Sequence, residues 1–347
     1  MKKAQKHEAP IKNTTISDVA GLAGVTIGTV SHVINGTATI SEETTAKVEH
    51  AIKKLGYKPN LFARNLRRNQ SKMIGLLVPD LIEFYSSIAR NFIDHAYDNG
   101  YSVMLSSFQY SIEREKREFD VFVKNMVDAI VLFGGMKDEE LLTSVMKSGM
   151  PIILCDRRVE FNSFSTIEFD NEATMRKVVR MLKEKGYTSL GYVSEPLELT
   201  NVTDRYSGFK IGAFEQGLEV LPENVFFSDS LKLDKLKNSY IFMKKLLEQR
   251  PAESLPKVFV TTSDMIAVGM IEAMNESGYR VPEDFGVVGF DNISISAHIS
   301  PALTTVKQDG WMMAKSAWEA VSDTLTKKVE KPICMKLNSE IIVRESC

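Results

Sequence analysis

The sequence predicts an α/β protein in which a small all-α head is followed by a two-lobed core of parallel sheets flanked by helices. Three observations carry this. Helical patterns with their own capping residues crowd into residues 15–56, whereas from Met73 onward short apolar runs alternate with longer amphipathic segments. The charge divides at the same place: residues 1–72 hold 12 Lys and Arg against 5 Asp and Glu, a net of +7, and the remainder carries −9. The 347 residues are enough for about two domains.

The head reads as three short helices. Thr15 opens the first, with Asp18 three residues on in a capping-box-like start. Val19, Ala20, Leu22 and Ala23 supply its apolar face, and Gly24 interrupts the pattern. A second helix runs from Thr26 to Ile34 until Asn35-Gly36 stops it. Ser41 caps a third, with Glu42 and Glu43 in its first turn, Val48, Ile52 and Leu55 at helical spacing and Gly56 at its end. The Lys58-Pro59 step forces an extended connection, and the polar-basic segment from Asn60 to Arg68 leads to a linker at Gln70-Ser71.

The runs MIGLLVP, YSVMLSS, AIVLFGG, PIILCD, STIEFD, SLGYVS, KVFVTT and FGVVGFD read as buried parallel strands. Helical segments such as 113–126, 139–149, 172–186, 205–218 and 263–278 separate them. They are too numerous for one small sheet, hence the expectation of two lobes. In such folds ligands bind beyond the carboxyl ends of strands, which points to the loops after Pro79, Asp156, Thr262 and Asp291.

Composition excludes several classes. Hydrophobic residues at 44% and charged residues at 25% supply a large core and rule out a disordered chain. Cys155, Cys334 and Cys347 are too few and scattered for a disulfide framework or a zinc site. The five histidines show no paired metal spacing. No metal or cofactor is therefore expected. The start MKKAQKHEAPIKN lacks the apolar core of a signal peptide. No apolar run reaches the roughly 18 residues a membrane span needs. A reducing, cytoplasmic location is expected, with no membrane partner. There is no GxxxxGK[ST] loop, no GxGxxG after the first strand and no GxSxG elbow, so an enzyme is not expected.

Residues Ile16–Asn35 meet the steric demands of a helix-turn-helix. Ala20 is small where two helices cross, Gly24 falls in the turn, and Val25, Val30 and Val33 fill the space between the helices. The second helix then presents Thr26, Ile27, Gly28, Thr29, Ser31 and His32 outward, as a major groove requires.

The stretch from TISDVAGLAGVTIGTVSHVING through GYKPNLFARNLRR resembles the head of the lactose-repressor (LacI/GalR) family of bacterial transcription regulators. The likeness continues through IGLLVPD, VDAIVLFGG, FDNEA, DRYSGF, SDMIAVGM, VPEDFGVVGFD, SPALTTVKQ and IIVRES, covering about residues 14–346. The resemblance implies a basic tail (1–13), a helix-turn-helix domain (14–58), a hinge helix and linker (59–72) and a periplasmic-binding-protein-like core (73–347). Within the core it implies lobe 1 at about 73–169 plus 300–328 and lobe 2 at about 170–299 plus 329–347. By position Ile27, Gly28 and His32 meet base edges, and Thr26, Thr29, Ser31 and Asn35 reach phosphates. Many relatives carry Arg where His32 stands, so an altered half-site is expected. In the hinge, Leu66 matches a residue that wedges into the central minor groove, with Asn60 opening the segment, Ala63 beside the wedge and Arg64 and Arg67 near phosphates.

For the core, the resemblance implies an effector cleft. Arg205 and Asp291 align with ligand-holding residues, Asp156 and Arg157 form a third wall, and Phe84 and Tyr85 a fourth. Ser263 replaces a usual Asn, and Asn201 and Thr203 lie in a variable pocket loop. Carboxylates, an arginine and aromatic rings suit a polyhydroxylated ligand. The function expected is a homodimeric repressor of sugar or carbon metabolism that binds a pseudo-palindromic operator under control of a small-molecule effector. The alternatives are control by a phosphocarrier protein, or a solute-binding protein or enzyme on the same core.

Overall fold

The computed structural model describes residues 14–57, 70–135, 139–147, 149–157, 164–328 and 331–347. The basic tail and the hinge residues Asn60, Ala63, Arg64, Leu66 and Arg67 lie outside the described residues. The chain divides into two compact units, 1–71 and 72–347.

In the first unit α1 (Ile16–Ala23), α2 (Ile27–Asn35) and α3 (Glu42–Leu55) follow the capping residues. The Thr15 amide donates to Asp18 Oδ2 at 2.8 Å and the Asp18 amide to Thr15 Oγ1 at 3.3 Å, which closes a reciprocal capping box. Gly24 ends α1 at φ 68°, a left-handed conformation that a side chain resists. The chain bends by 103° between α1 and α2. Val19, Val30 and Val48 are fully buried at the centre of this small core. Leu22, expected on the apolar face of α1, is instead 44% exposed, because Val19, Ala20 and Ala23 already complete the contact with the other helices.

The second unit has two lobes. In lobe 1, β1 (Met73–Val78), β2 (Ser102–Ser107), β3 (Ala129–Phe133), β4 (Ile152–Cys155) and β5 (Ser165–Phe169) form a parallel sheet. It is flanked by α4 (Glu83–Asp98), α5 (Ile112–Lys124) and α6 (Glu139–Lys147). Lobe 2 holds α7 (Asn171–Glu184), α8 (Thr200–Glu215), α9 (Lys235–Gln249) and α10 (Asp264–Glu276). They flank β6 (Leu190–Ser194), β7 (Val225–Phe227), β8 (Val258–Thr261) and β9 (Gly286–Val288), in the order β7-β6-β8-β9. The last elements are β10 (Thr305–Lys307), α11 (Gly310–Leu325), β11 (Cys334–Leu337) and β12 (Glu340–Ile342).

These last elements correct the expected lobe boundaries. β11 runs parallel to β5 and completes lobe 1's sheet, in the order β11-β5-β4-β3-β1-β2, although residues 329–347 were expected in lobe 2. Conversely, Leu303 and Val306 are buried in the cores of lobe 2, and β10 pairs with β12, so residues 303–307 belong there. Between β10 and β11 the helix α11 also lies on lobe 1, where Met313, Ala317 and Val321 pack among the residues of α4.

Two glycines set the helices that carry the cleft residues of lobe 2. A Cβ on Gly208 of α8 would stand 2.3 Å from the Glu172 carbonyl oxygen, and one on Gly269 of α10 would stand 2.1 Å from that of Leu236. Backbone therefore packs on backbone at both crossings, which fixes α8 and α9 closely. Among the described residues no single helix is long and apolar enough to cross a membrane.

Candidate functional site

On the head, α2 shows solvent the face expected to meet DNA. Thr26, Gly28 and His32 are exposed, Ile27 is 45% exposed, and Thr29, Ser31 and Asn35 are half-buried. Thr26 caps α2: its Oγ1 accepts from the Thr29 amide at 3.1 Å and lies 2.9 Å from the Thr29 hydroxyl. His32 Nδ1 lies 2.9 Å from Thr37 Oγ1, which fixes the imidazole beside the end of the helix. The Asn35 amide donates to the Ser31 carbonyl at 2.7 Å. Ile27, Gly28 and His32 thus leave an apolar edge, a bare backbone and one free ring nitrogen facing out.

In the core, a cavity of about 370 Å³ opens between the lobes at the carboxyl ends of their strands. Of the residues expected there, Phe84, Tyr85, Asn201, Arg205, Ser263 and Asp291 line it. Asp156 stands just behind the wall: Asn201 Nδ2 donates to its Oδ2 at 2.6 Å and the Tyr85 hydroxyl reaches the same oxygen at 3.4 Å. Its other oxygen, Oδ1, is buried without a hydrogen-bond partner.

Two expected contacts are corrected. Arg157 turns away from the cavity and pairs with the wholly buried Glu115 at 3.1 Å. It follows Asp156 directly, and Asp156 takes a left-handed φ of 52°. Thr203 hydrogen-bonds the carbonyls of Leu197 and Leu199 at 3.3 and 3.0 Å, so its hydroxyl serves the first turn of α8.

Arg205 is the most constrained group of the site. Its Nε donates to Asn171 Oδ1 at 3.0 Å, Nη1 to the Thr262 carbonyl at 2.7 Å and Nη2 to Gln308 Oε1 at 3.1 Å. The guanidinium also lies 3.8 Å over the Phe290 ring and 3.8 Å from Asp291 Oδ1. Three of its five N–H groups are so committed, which leaves one on each Nη for a ligand. Burial pushes the Asp291 carboxyl well above its ordinary range and raises that of Asp156, and Arg205 opposes both shifts. Asp291 stands at φ 112°, and such positions carry strain of about 1–3 kcal/mol that clusters at functional sites.

Sequence reasoning missed the outer half of the cavity. Asp80 accepts from the Tyr110 hydroxyl at 2.7 Å on lobe 1. Opposite, on lobe 2, Lys235 pairs with Glu195 at 2.7 Å, and the Thr262 hydroxyl donates to the other Glu195 oxygen. Burial alone would raise the Glu195 carboxyl, but the Lys235 ammonium and the hydrogen bonds from Lys235, Thr262 and the backbone together hold it below its usual range. Glu195 directly follows the run SLGYVS, and that strand-end position was the available signal.

The arrangement offers carboxylate acceptors, two free guanidinium donors and aromatic edges, in a cavity whose Lys235–Glu195 pair balances its own charge. Comparison with known proteins agrees with both halves. Residues 15–60 match the family model of bacterial regulatory proteins of the lacI family, and residues 179–347 match that of a periplasmic binding protein-like domain. The regulator RegA of Clostridium saccharobutylicum is 32% identical over 96% of this chain and 99% of its own. The repressor PurR of Pasteurella multocida (strain Pm70) is 30% identical over 96% and 98%. A solved complex of the transcriptional regulator CelR with cellobiose is 26% identical over 96% of this chain and 100% of its own, with a TM-score of 0.72. The lac repressor dimer bound to operator matches in fold, with a TM-score of 0.83 over 96% and 99% at 24% identity. By these likenesses the chain belongs to the lacI family of bacterial regulatory proteins, and it is a DNA-binding transcriptional regulator with an effector-binding core.

Proposed function

We propose that this regulator is a cytoplasmic homodimeric repressor that binds a pseudo-palindromic operator and releases or grips it according to a neutral, polyhydroxylated effector in the interlobe cavity. The observation that carries the effector reading is the placement of the Asp291 carboxyl, 3.8 Å from Arg205 Nη1, beside a guanidinium that keeps two N–H groups free. Adjacent hydroxyls of a sugar donate to the one and accept from the other, while Tyr85 and Phe84 present ring surface. The relative solved with cellobiose supports a sugar. Control by a phosphocarrier protein has no such feature in its favour.

On DNA, Ile27 offers contact to a thymine methyl, His32 a single hydrogen bond to a base edge, and Thr26, Thr29, Ser31 and Asn35 contacts to phosphates. The hinge residues Asn60, Ala63, Arg64, Leu66 and Arg67 add minor-groove contact, with Leu66 as the wedge. Effector binding changes operator affinity only as far as it prefers one arrangement of the lobes over another. Selection of bound sequences from random duplex DNA tests the reading. A palindrome is expected from the unaltered protein, with weaker enrichment by Leu66→Ala. Equal enrichment by both removes the wedge, and recovery of no palindrome removes the operator model.

A further inference from the structure

The chain crosses between lobes at Asp170–Asn171, Gln308–Asp309 and Asn338–Ser339. Arg205 bonds residues at two of these crossings, Asn171 through Nε at 3.0 Å and Gln308 through Nη2 at 3.1 Å. Gln308 Nε2 donates in turn to Asn171 Oδ1 at 3.4 Å, which closes a three-membered ring of side chains. All three residues are at least nine-tenths buried. Asn171 Nδ2 holds the Phe169 carbonyl at 3.2 Å, and the Asp170 amide donates to the Leu337 carbonyl at 3.0 Å, so the remaining crossing is laced to the first. One cavity-lining guanidinium is therefore bonded to the segments about which the lobes must turn.

We propose that Asn171 and Gln308 are positioning residues that convert a change at Arg205 into a change of the angle between the lobes. The inference rests on the cavity being the effector site, as read above. Hinges are short segments that absorb backbone rotation. Charge-assisted hydrogen bonds to side chains at two hinges hold that rotation at one value. A ligand atom that accepts from the free N–H groups of Arg205 pulls on the same guanidinium that makes these bonds, and a small shift of it is felt at both crossings. Thr203, two residues away on the same helix, bonds only carbonyls of its own segment and lacks this reach.

The test is hydrogen exchange of the full-length protein with no ligand added, so its outcome does not depend on which molecule the cavity binds. Gln308→Leu removes the acceptor for Arg205 at nearly constant volume. It should quicken exchange about tenfold, the worth of one hydrogen bond, in segments 165–172 and 334–339 as well as around 308. Gln308→Glu keeps an acceptor for Nη2 and should exchange at or below the unaltered rate. Arg205→Met should reproduce the Gln308→Leu pattern, and the double variant should add little to either, as coupled residues do. Thr203→Ala should leave these segments unchanged. Should Gln308→Leu fail to fold, Asn171→Ala carries the same expectation. Quickening confined to residues around 308, equal effects of Leu and Glu, or full additivity with Arg205→Met would each overturn the proposal. Failure of the effector-site reading shows separately, as sugar binding that survives Arg205→Met.

Discussion

Asn201 of lobe 2 donates its side-chain amide to the Asp156 carboxylate of lobe 1 at 2.6 Å. This bond spans the cleft, and it is one of few partners for a carboxylate that is 3% exposed. Asn201→Leu should therefore destabilise the core by about 1–3 kcal/mol, the cost of leaving a buried polar group short of a partner. Asn201→Asp should be worse at neutral pH, since two carboxylates would then meet, and should recover as pH falls and one takes a proton. Urea unfolding of the variants at neutral and acidic pH reads both effects.

Asp291 combines burial, a raised carboxyl pKa and a left-handed backbone. Asp291→Gly relieves the backbone strain and removes the buried acid, so it should stabilise the core by about 1 kcal/mol. The same change should abolish the response to sugar. Thermal unfolding and operator binding with added sugars measure the two sides, and a stabilised variant that still responds would move the ligand elsewhere in the cavity.

Asp264 does not line the cavity but holds the turn behind Asp291, accepting from the Ile293 amide at 2.9 Å and from the hydroxyls of Ser296 and Thr305. Burial raises its carboxyl from 3.8 to about 6 despite these bonds. The folded state then keeps a proton that the unfolded chain releases. The contribution of this group to stability is greatest below about pH 4 and falls as pH rises to about 6, by about 3 kcal/mol. Asp264→Asn should lack that fall, so the difference in unfolding free energy between variant and parent should shift in the variant's favour across that window. An unchanged difference would mean that the group titrates normally.

Gly269 admits the Leu236 carbonyl to the face of α10. Gly269→Ala should push α9 outward, destabilise lobe 2 by about 1–3 kcal/mol and displace Lys235 from Glu195. Denaturation gives the first effect, and weakened sugar binding the second.

The parts legible in the sequence were those written locally. Thr15, Asp18, Gly24, Ser41 and Gly56 each act within a few residues of themselves, and the head helices begin and end where these residues place them. Arg205 and Asp291 were found because they lie in long motifs. Lys235, Glu195, Asp80 and Tyr110 were not, because each pair joins segments of one lobe that lie 30 or more residues apart in the sequence and meet only when that lobe folds. Arg157 misled for a local reason: it adjoins Asp156, yet its guanidinium is satisfied by Glu115 on α5, 42 residues earlier. β11 was misplaced because a short edge strand of lobe 1 follows a helix of lobe 1 and precedes a strand of lobe 2, with no composition change to mark the crossing.

The central claim is that occupancy of the cavity governs the grip of the head on DNA. The most direct measurement is the affinity of the full-length protein for its selected palindrome, with and without the dialysable metabolites of a cell extract, for the parent and for Arg205→Met. The account predicts that the extract changes the affinity of the parent by about fivefold or more, within the usual range of coupling between sites, and leaves that of the variant unchanged. Equal responses of the two proteins, or no response in either, would contradict it.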